Sequence, residues 1–466
     1  MKKNRMKREC GMLLPVSALP SRYGIGCFSR EAYQFVDQLK EAGQQYWQIL
    51  PLGPTGYGDS PYQAFSAFAG QPLLISPDEL IKDGLLYGDD LRDYPHFNPD
   101  HIYYGDVIPA KLRILHRSYE IFKESADLCM LKEFDVFCEH EKDWLDDYAL
   151  FMAGKDAHGG ACWLEWEDDL RDPDEEIKAA WRERLADSIE YYKYIQFIFF
   201  RQWNAIRDYA HVNGIKIVGD IPIFVALDSA DVWANRELFQ LEKDGYPTVV
   251  AGVPPDYFSA TGQLWGNPLY DWDYHKKTHY DWWMRRIKGQ LNMVDYIRVD
   301  HFRGFEQYYA IPYGEETAMH GKWKKGPNED LFLRMQEVFG KDLPIWAEDL
   351  GIITPRVEKL RDDFNLPGMK VLQFAFGDPK DNDILPHRFT TENCICYTGT
   401  HDNDTTMGWY QTLKPALQDR VRRYLNTDGN IIHYDMIRAA MGSIARYAIY
   451  PIQDLLGFGS DCRMNT

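Results

Sequence analysis

The sequence predicts an α/β protein built on a (β/α)8 TIM barrel, with inserted, mostly helical subdomains and a long loop over the C-terminal face. Three observations carry that prediction. Eight short apolar runs each end in a polar, Gly- or Pro-containing turn. The runs are nearly continuous in their apolar residues, the mark of strands buried on both faces in a parallel sheet. Helical patterns separate several of them, and eight strands alternating with helices fit a closed barrel.

The first run is "GMLLPVSALP" (11–20). It follows a basic start, which raises a signal peptide, but Pro15 and Pro20 cut the run short, so residues 11–16 are read as a strand. A helical pattern over 30–43 leads to the second run, "QYWQILPLGPTG" (45–56). The helix 187–213 precedes the third, "GIKIVGDIPIF" (214–224), and 281–290 precedes the fourth, "VDYIRVDHFRG" (294–304). Then come helix 329–340 and "LPIWAEDLG" (343–351), helix 355–363 and "GMKVLQFAFGD" (368–378), and "CICYTGTHDND" (394–404). Helices 414–425 and 432–444 lead to the eighth, "ARYAIYPIQD" (445–454).

The whole span 1–466 is thus read as one barrel. Two gaps exceed a simple crossover. Residues 53–186 hold helical stretches such as 107–125 and 131–153 and are read as an inserted, mostly helical subdomain. Residues 225–280 are rich in Gly, Pro and aromatics and are read as a loop-rich insertion covering the cleft.

Composition narrows the partners. The formal net charge is −19 and, past the basic start, no Lys/Arg cluster interrupts it, which argues against nucleic acid and anionic membrane surfaces. No run approaches the roughly 18 apolar residues of a membrane span. The eight cysteines include no CxxC pair, as expected of a reduced, cytoplasmic enzyme. Oligomeric state is not fixed by the sequence. Aromatic residues make up 15% of the chain, and many fall in turns such as "GPTGYGDSPYQAF" and "SATGQLWGNPLYDWDYH", where flat rings suit sugar faces as well as packing.

The chemistry concentrates where strands end, the functional face of such a barrel. The third run ends in Asp220, the fourth in Arg298, Asp300 and His301, the fifth in Glu348-Asp349, the seventh in His401-Asp402. Singly, each is an ordinary cap or turn residue; together they predict a carboxylate cluster at one bowl. Arg298 and Asp300 share a strand face, so the cation favours an ionised Asp300. Glu348, two residues beyond Trp346 and near other carboxylates, is expected to hold its proton. Two carboxyls so contrasted suit glycosidic bond cleavage. Two other readings stay open: a metal-dependent barrel hydrolase, against which stand the absence of HxH on the first strand and of HExxH anywhere, and a non-catalytic glucan-binding protein.

Seven stretches resemble a known family: 50–75, "GDIPIFVALDSADVW" (219–233), "GVPPDYFSATGQLWGNPLYDW" (252–272), "RVDHFRG" (298–304), "AEDLG" (347–351), "LPGMKVLQFAF" (366–376) and "TGTHDNDT" (398–405). In colinear order they are similar to the 4-α-glucanotransferases, the amylomaltases or disproportionating enzymes of glycoside hydrolase family 77. The resemblance implies a retaining transfer of α-1,4-glucan segments from donor to acceptor, without cofactor or metal; its nearest rival is an α-glucan hydrolase. It implies Asp300 as nucleophile, Glu348 as general acid/base and Asp402 as transition-state stabiliser. It places Asp220, Arg298, His301 and His401 around the scissile bond and Ser60 and Tyr62 on the acceptor side. Tyr257 and Trp265 bound a covering loop, and Tyr57 belongs to a second glucan site. Family chains commonly continue past "RMN" with a Pro-Gly and Trp-rich segment, so this C-terminus, "DCRMNT", is expected to be shortened.

Overall fold

The computed structural model describes residues 7–255, 259–377 and 383–465. Its strands are β1 (Glu9–Leu13), β2 (Tyr46–Gln48), β3 (Lys216–Pro222), β4 (Val249–Val253), β5 (Gln263–Pro268) and β6 (Tyr296–Asp300), then β7 (Gln307–Pro312), β8 (Lys322–Lys325), β9 (Ile345–Ala347), β10 (Gly368–Val371), β11 (Cys394–Tyr397) and β12 (Tyr447–Pro451). Eight of them close a barrel in the order β1-β12-β11-β10-β9-β6-β3-β2. Every barrel pairing is parallel. These are the eight apolar runs.

Strand parity explains their unbroken apolarity. Alternate side chains enter the lumen or face the helices. Tyr46, Val218, Trp346, Met369, Ile395 and Tyr447 fill the lumen. Trp47, Ile217, Ile297, Val299 and Ile345 point outward into the shared core beneath the helices. Both faces are therefore dry.

Between β2 and β3 the helices Tyr104–Ser125, Leu128–Ala157 and Glu175–Arg184 precede the long helix Ala186–Val212. Phe134 meets Phe122 and Phe197 edge-on, which knits the first two to the last. Asp127 caps its helix by accepting from Met130 N.

The stretch 225–280 differs from a plain loop. It carries β4 and β5, which join β7 and β8 in an antiparallel sheet ordered β5-β4-β7-β8. The sequence hides the two edge strands, β5 and β8, for a physical reason. β8, "KWKK", is exposed throughout, and β5, "QLWGNP", contains Gly266 and ends in Pro268, a composition tolerated at a sheet edge.

Candidate active site

β3, β6 and β9 lie side by side, and their register sets the site. Asp220 is level with Arg298 and Pro222 with Asp300. Val299 is level with Ala347, so Glu348, one residue past β9, reaches the height of Asp300. Tyr296, Arg298 and Asp300 share one face of β6, and on it the apolar run turns ionic where the barrel opens.

Arg298 ties this end together. Its Nη1 donates to both oxygens of Asp220, at 2.8 and 2.6 Å, and its Nη2 to Asp300 Oδ1 at 2.9 Å. The Arg298 side chain is 2% exposed and that of Asp220 fully buried. Burial pushes the Asp220 carboxyl up, and the guanidinium opposes that; a two-pronged contact of this kind suits the ionised form. Asp300 keeps 33% of its side chain exposed, so one oxygen is fixed by Arg298 while the group stays open to the cleft.

Glu348 has the contrasting environment. Its Oε2 accepts from His301 N and its Oε1 from Leu350 N, both at 2.8 Å. Burial, then the neighbouring negative charge of Asp300, pushes its carboxyl up to about 8. The backbone contributes directly. His301 sits at φ 55°, ψ 47°, a left-handed conformation uncommon outside glycine. That turn aims the His301 N–H back at Glu348, local strain placed where it positions a carboxyl group. Burial pushes the His301 ring down to about 4. The ring packs perpendicular to that of Trp265 on β5, with 4.9 Å between centroids.

The opposite wall comes from the loop after β11. Tyr62 stacks on the ring of His401. Its hydroxyl donates to Asp220 Oδ2 at 2.8 Å and lies 2.7 Å from His401 Nε2. A phenol has a single proton, so Nε2 must supply the second one, which fixes a proton on His401 Nε2. Asp402 Oδ2 lies 3.3 Å from that nitrogen, and more than half of its side chain is exposed. Ser60 touches the group through its neighbour, its Oγ accepting from Tyr62 N at 3.3 Å. Asp220, Asp300, Glu348 and Asp402 are thus linked through Arg298, Tyr62, His301 and His401 at one end of the barrel. The side chain of Tyr57 and all of Tyr257 lie outside the described residues.

Two contacts had no signal in the sequence. Asn465 Nδ2 donates to Asp402 Oδ1 at 3.1 Å, and Arg463 Nη2 to the Asp402 carbonyl at 2.7 Å. Both come from a polar segment more than 60 residues away, and only folding brings them back. Among the described residues no group of three or more His, Cys, Asp and Glu has a metal-holding arrangement, and no helix is long and apolar enough to cross a membrane.

The chain is similar to known proteins along nearly its whole length. A family model described as 4-alpha-glucanotransferase matches residues 14–466. A 4-alpha-glucanotransferase of Synechocystis is 49% identical over 98% of this chain and 91% of its own. One of Thermus thermophilus is 49% identical over 99% and 92%. The solved amylomaltase of Streptococcus agalactiae, in complex with acarbose, superposes with a TM-score of 0.95 at 40% identity, covering 99% of this chain and 93% of that one.

Proposed function

The chain belongs to the 4-alpha-glucanotransferase family, and from that premise we propose that it moves a segment of an α-1,4-glucan to the 4-OH of an acceptor glucan or glucose by retaining double displacement. The observation that carries the reading is the contrast between two carboxyls at one height on neighbouring strands: Asp300 held by Arg298, and Glu348 pushed up to about 8.

Glu348 gives its proton to the glycosidic oxygen as Asp300 attacks the anomeric carbon. The departing chain leaves with a new 4-OH, and the donor segment remains esterified to Asp300. The acceptor 4-OH then attacks that carbon, its proton passes to Glu348, and Asp300 is released. Retaining enzymes hold such a pair about 5–5.5 Å apart. Asp402 stabilises positive charge developing on the sugar. Asp220, Arg298, His301, His401, Tyr62 and Ser60 bind the sugars around the bond, and Trp265 closes the rim above His301. Tyr257, on the covering loop, and Tyr57, in a second glucan site, complete the set. The eight free cysteines support a reducing, cytoplasmic setting.

Product analysis tests the reading. Maltotriose alone should yield glucose and a ladder of longer maltooligosaccharides, with reducing ends nearly constant because each bond broken is remade. Only shorter products with steadily rising reducing ends would make the protein an α-glucan hydrolase on the same barrel.

A further inference from the structure

Asp454 is a buried carboxylate to which the mechanism above gives no role. It follows β12 directly, in the short helix Ile452–Leu456, and is 1% exposed. Its Oδ2 accepts from Thr398 Oγ1 at 2.5 Å and from Thr406 Oγ1 at 2.7 Å, and its Oδ1 from Thr406 N at 2.6 Å. Those partners stand at the two ends of the nine-residue loop that carries His401 and Asp402. Thr398 is the first residue past β11, and Thr406 opens the helix Thr406–Thr412. Both threonines are fully buried.

One carboxylate therefore fastens both ends of the loop. Inside it, Asn403 Oδ1 accepts from Thr400 N and Oγ1, both at 2.9 Å, which closes the chain on itself around His401 and Asp402. The loop is a compact turn whose two ends are tied to the short helix after β12. A buried carboxylate with three short donors is costly to leave half-satisfied, which makes the clamp rigid.

We infer that Asp454 is a positioning residue for the transfer reaction, clamping the loop 398–406 so that the Asp402 carboxylate stands at the reacting sugar. The inference rests on Asp402 belonging to the machinery proposed above. It predicts a loss of a defined kind. Asp402 acts on the transition state, so misplacing it lowers kcat more than it raises KM, and a misplacement near 1 Å costs about 10²-fold.

The test is a double-mutant cycle on Asp402→Asn and Asp454→Asn, with kcat and KM measured on maltotriose and on the activated donor α-maltosyl fluoride. Asp454→Asn keeps the shape but turns an amide N–H toward a donor. The expected result is a loss of about 10- to 100-fold in kcat at nearly constant KM for Asp454→Asn, with no further loss when it is added to Asp402→Asn. Equal losses in both backgrounds, or a lowered melting temperature with kcat intact, overturn the inference. Full kcat in Asp402→Asn overturns the reading of Asp402 and the inference with it; loss there without loss in Asp454→Asn overturns the inference alone. Should Asp454→Asn fail to fold, Thr398→Val carries the same cycle with a smaller loss, and Thr398→Ser, which keeps the hydroxyl, should restore kcat.

Discussion

On β6, Tyr296 and Asp300 enter the same lumen four residues apart, yet they belong to regions that hold together in opposite ways. At the floor, every pair among the rings of Tyr46, Tyr296, Trp346 and Tyr447 packs with centroids 4.9–6.5 Å apart. At the mouth, buried charges depend on named partners. The floor is stabilised by area and contact, so losing a ring costs in proportion to what is removed. The mouth is stabilised by pairing, so losing one group strands another. The same pleat thus yields a part that tolerates change and a part that does not, and the reaction proposed above uses the second.

The largest effects break the mouth chemically while leaving its shape. Glu348→Gln should lower kcat on maltotriose by about 10²- to 10⁴-fold, the usual contribution of a positioned acid, and Asp300→Asn by at least as much. α-Maltosyl fluoride separates them, because fluoride departs without protonation. The first turnover of that donor, read as a burst of fluoride, should recover in Glu348→Gln and not in Asp300→Asn, while later turnovers, which need Glu348 as base, stay slow. Recovery in both would remove Asp300 from the nucleophile's place.

Next come losses of stability that differ in kind. Arg298→Met leaves the fully buried Asp220 carboxylate without its cation, at a cost of about 3–5 kcal/mol. Adding Asp220→Asn should return part of that, though activity stays low. Tyr447→Leu, at the floor, should cost about 1–3 kcal/mol through the volume removed while kcat per folded molecule holds. Urea midpoints and kcat measured together check the pair. A floor variant that loses kcat as the mouth variant does would erase the distinction between the two regions.

The same contrast appears as a dependence on pH. The Glu348 carboxyl, ordinarily at 4.5, lies at about 8 in the folded chain. Between those values the unfolded chain releases a proton that the folded one keeps, so stability falls as pH rises through that window. The cost reaches a few kcal/mol at most above pH 8. The melting temperature of the wild type should therefore drop relative to Glu348→Gln from about pH 5 to pH 8, and the alkaline limb of kcat/KM should lie near 8. Parallel melting curves for the two proteins would contradict the raised value.

How much of this was legible in the sequence follows from which interactions are local. The barrel strands were, because burial on both faces leaves a run no polar position to interrupt it. The carboxylates were, because a strand that opens onto a site changes character within two residues, as at Val299–Asp300. The edge strands β5 and β8 were not: β8 is exposed throughout with nothing apolar to mark "KWKK", and β5 is half-exposed and carries Gly266 and Pro268. Asn465 was not, because a loop amide gains meaning only from the carboxylate it meets. The eighth run ends in Asp454, as others end in Asp220 and Glu348, yet its role depends on Thr398 and Thr406, which are unremarkable until the loop closes around them.

The smallest effect tests where the mouth meets water. Trp265 stands on β5 with its ring perpendicular to that of His301 and its Nε1 donating to Gln263 Oε1 at 3.1 Å. It makes none of the hydrogen bonds that hold Asp300, Glu348 or Asp402. Removing it should leave the first displacement intact. What changes is the second, in which the glucosyl-enzyme is taken either by an acceptor 4-OH or by water. Aromatic contacts contribute about 0.5–1.5 kcal/mol beyond their buried area, so losing one shifts that partition by about 2- to 10-fold. Trp265→Ala should therefore consume α-maltosyl fluoride at nearly the wild-type rate while the ratio of transfer to hydrolysis falls by that factor. An unchanged ratio would move water exclusion away from this ring to other parts of the rim, and a fall in the consumption rate itself would mean that Trp265 supports His301 and, through its backbone N–H, the Glu348 acid.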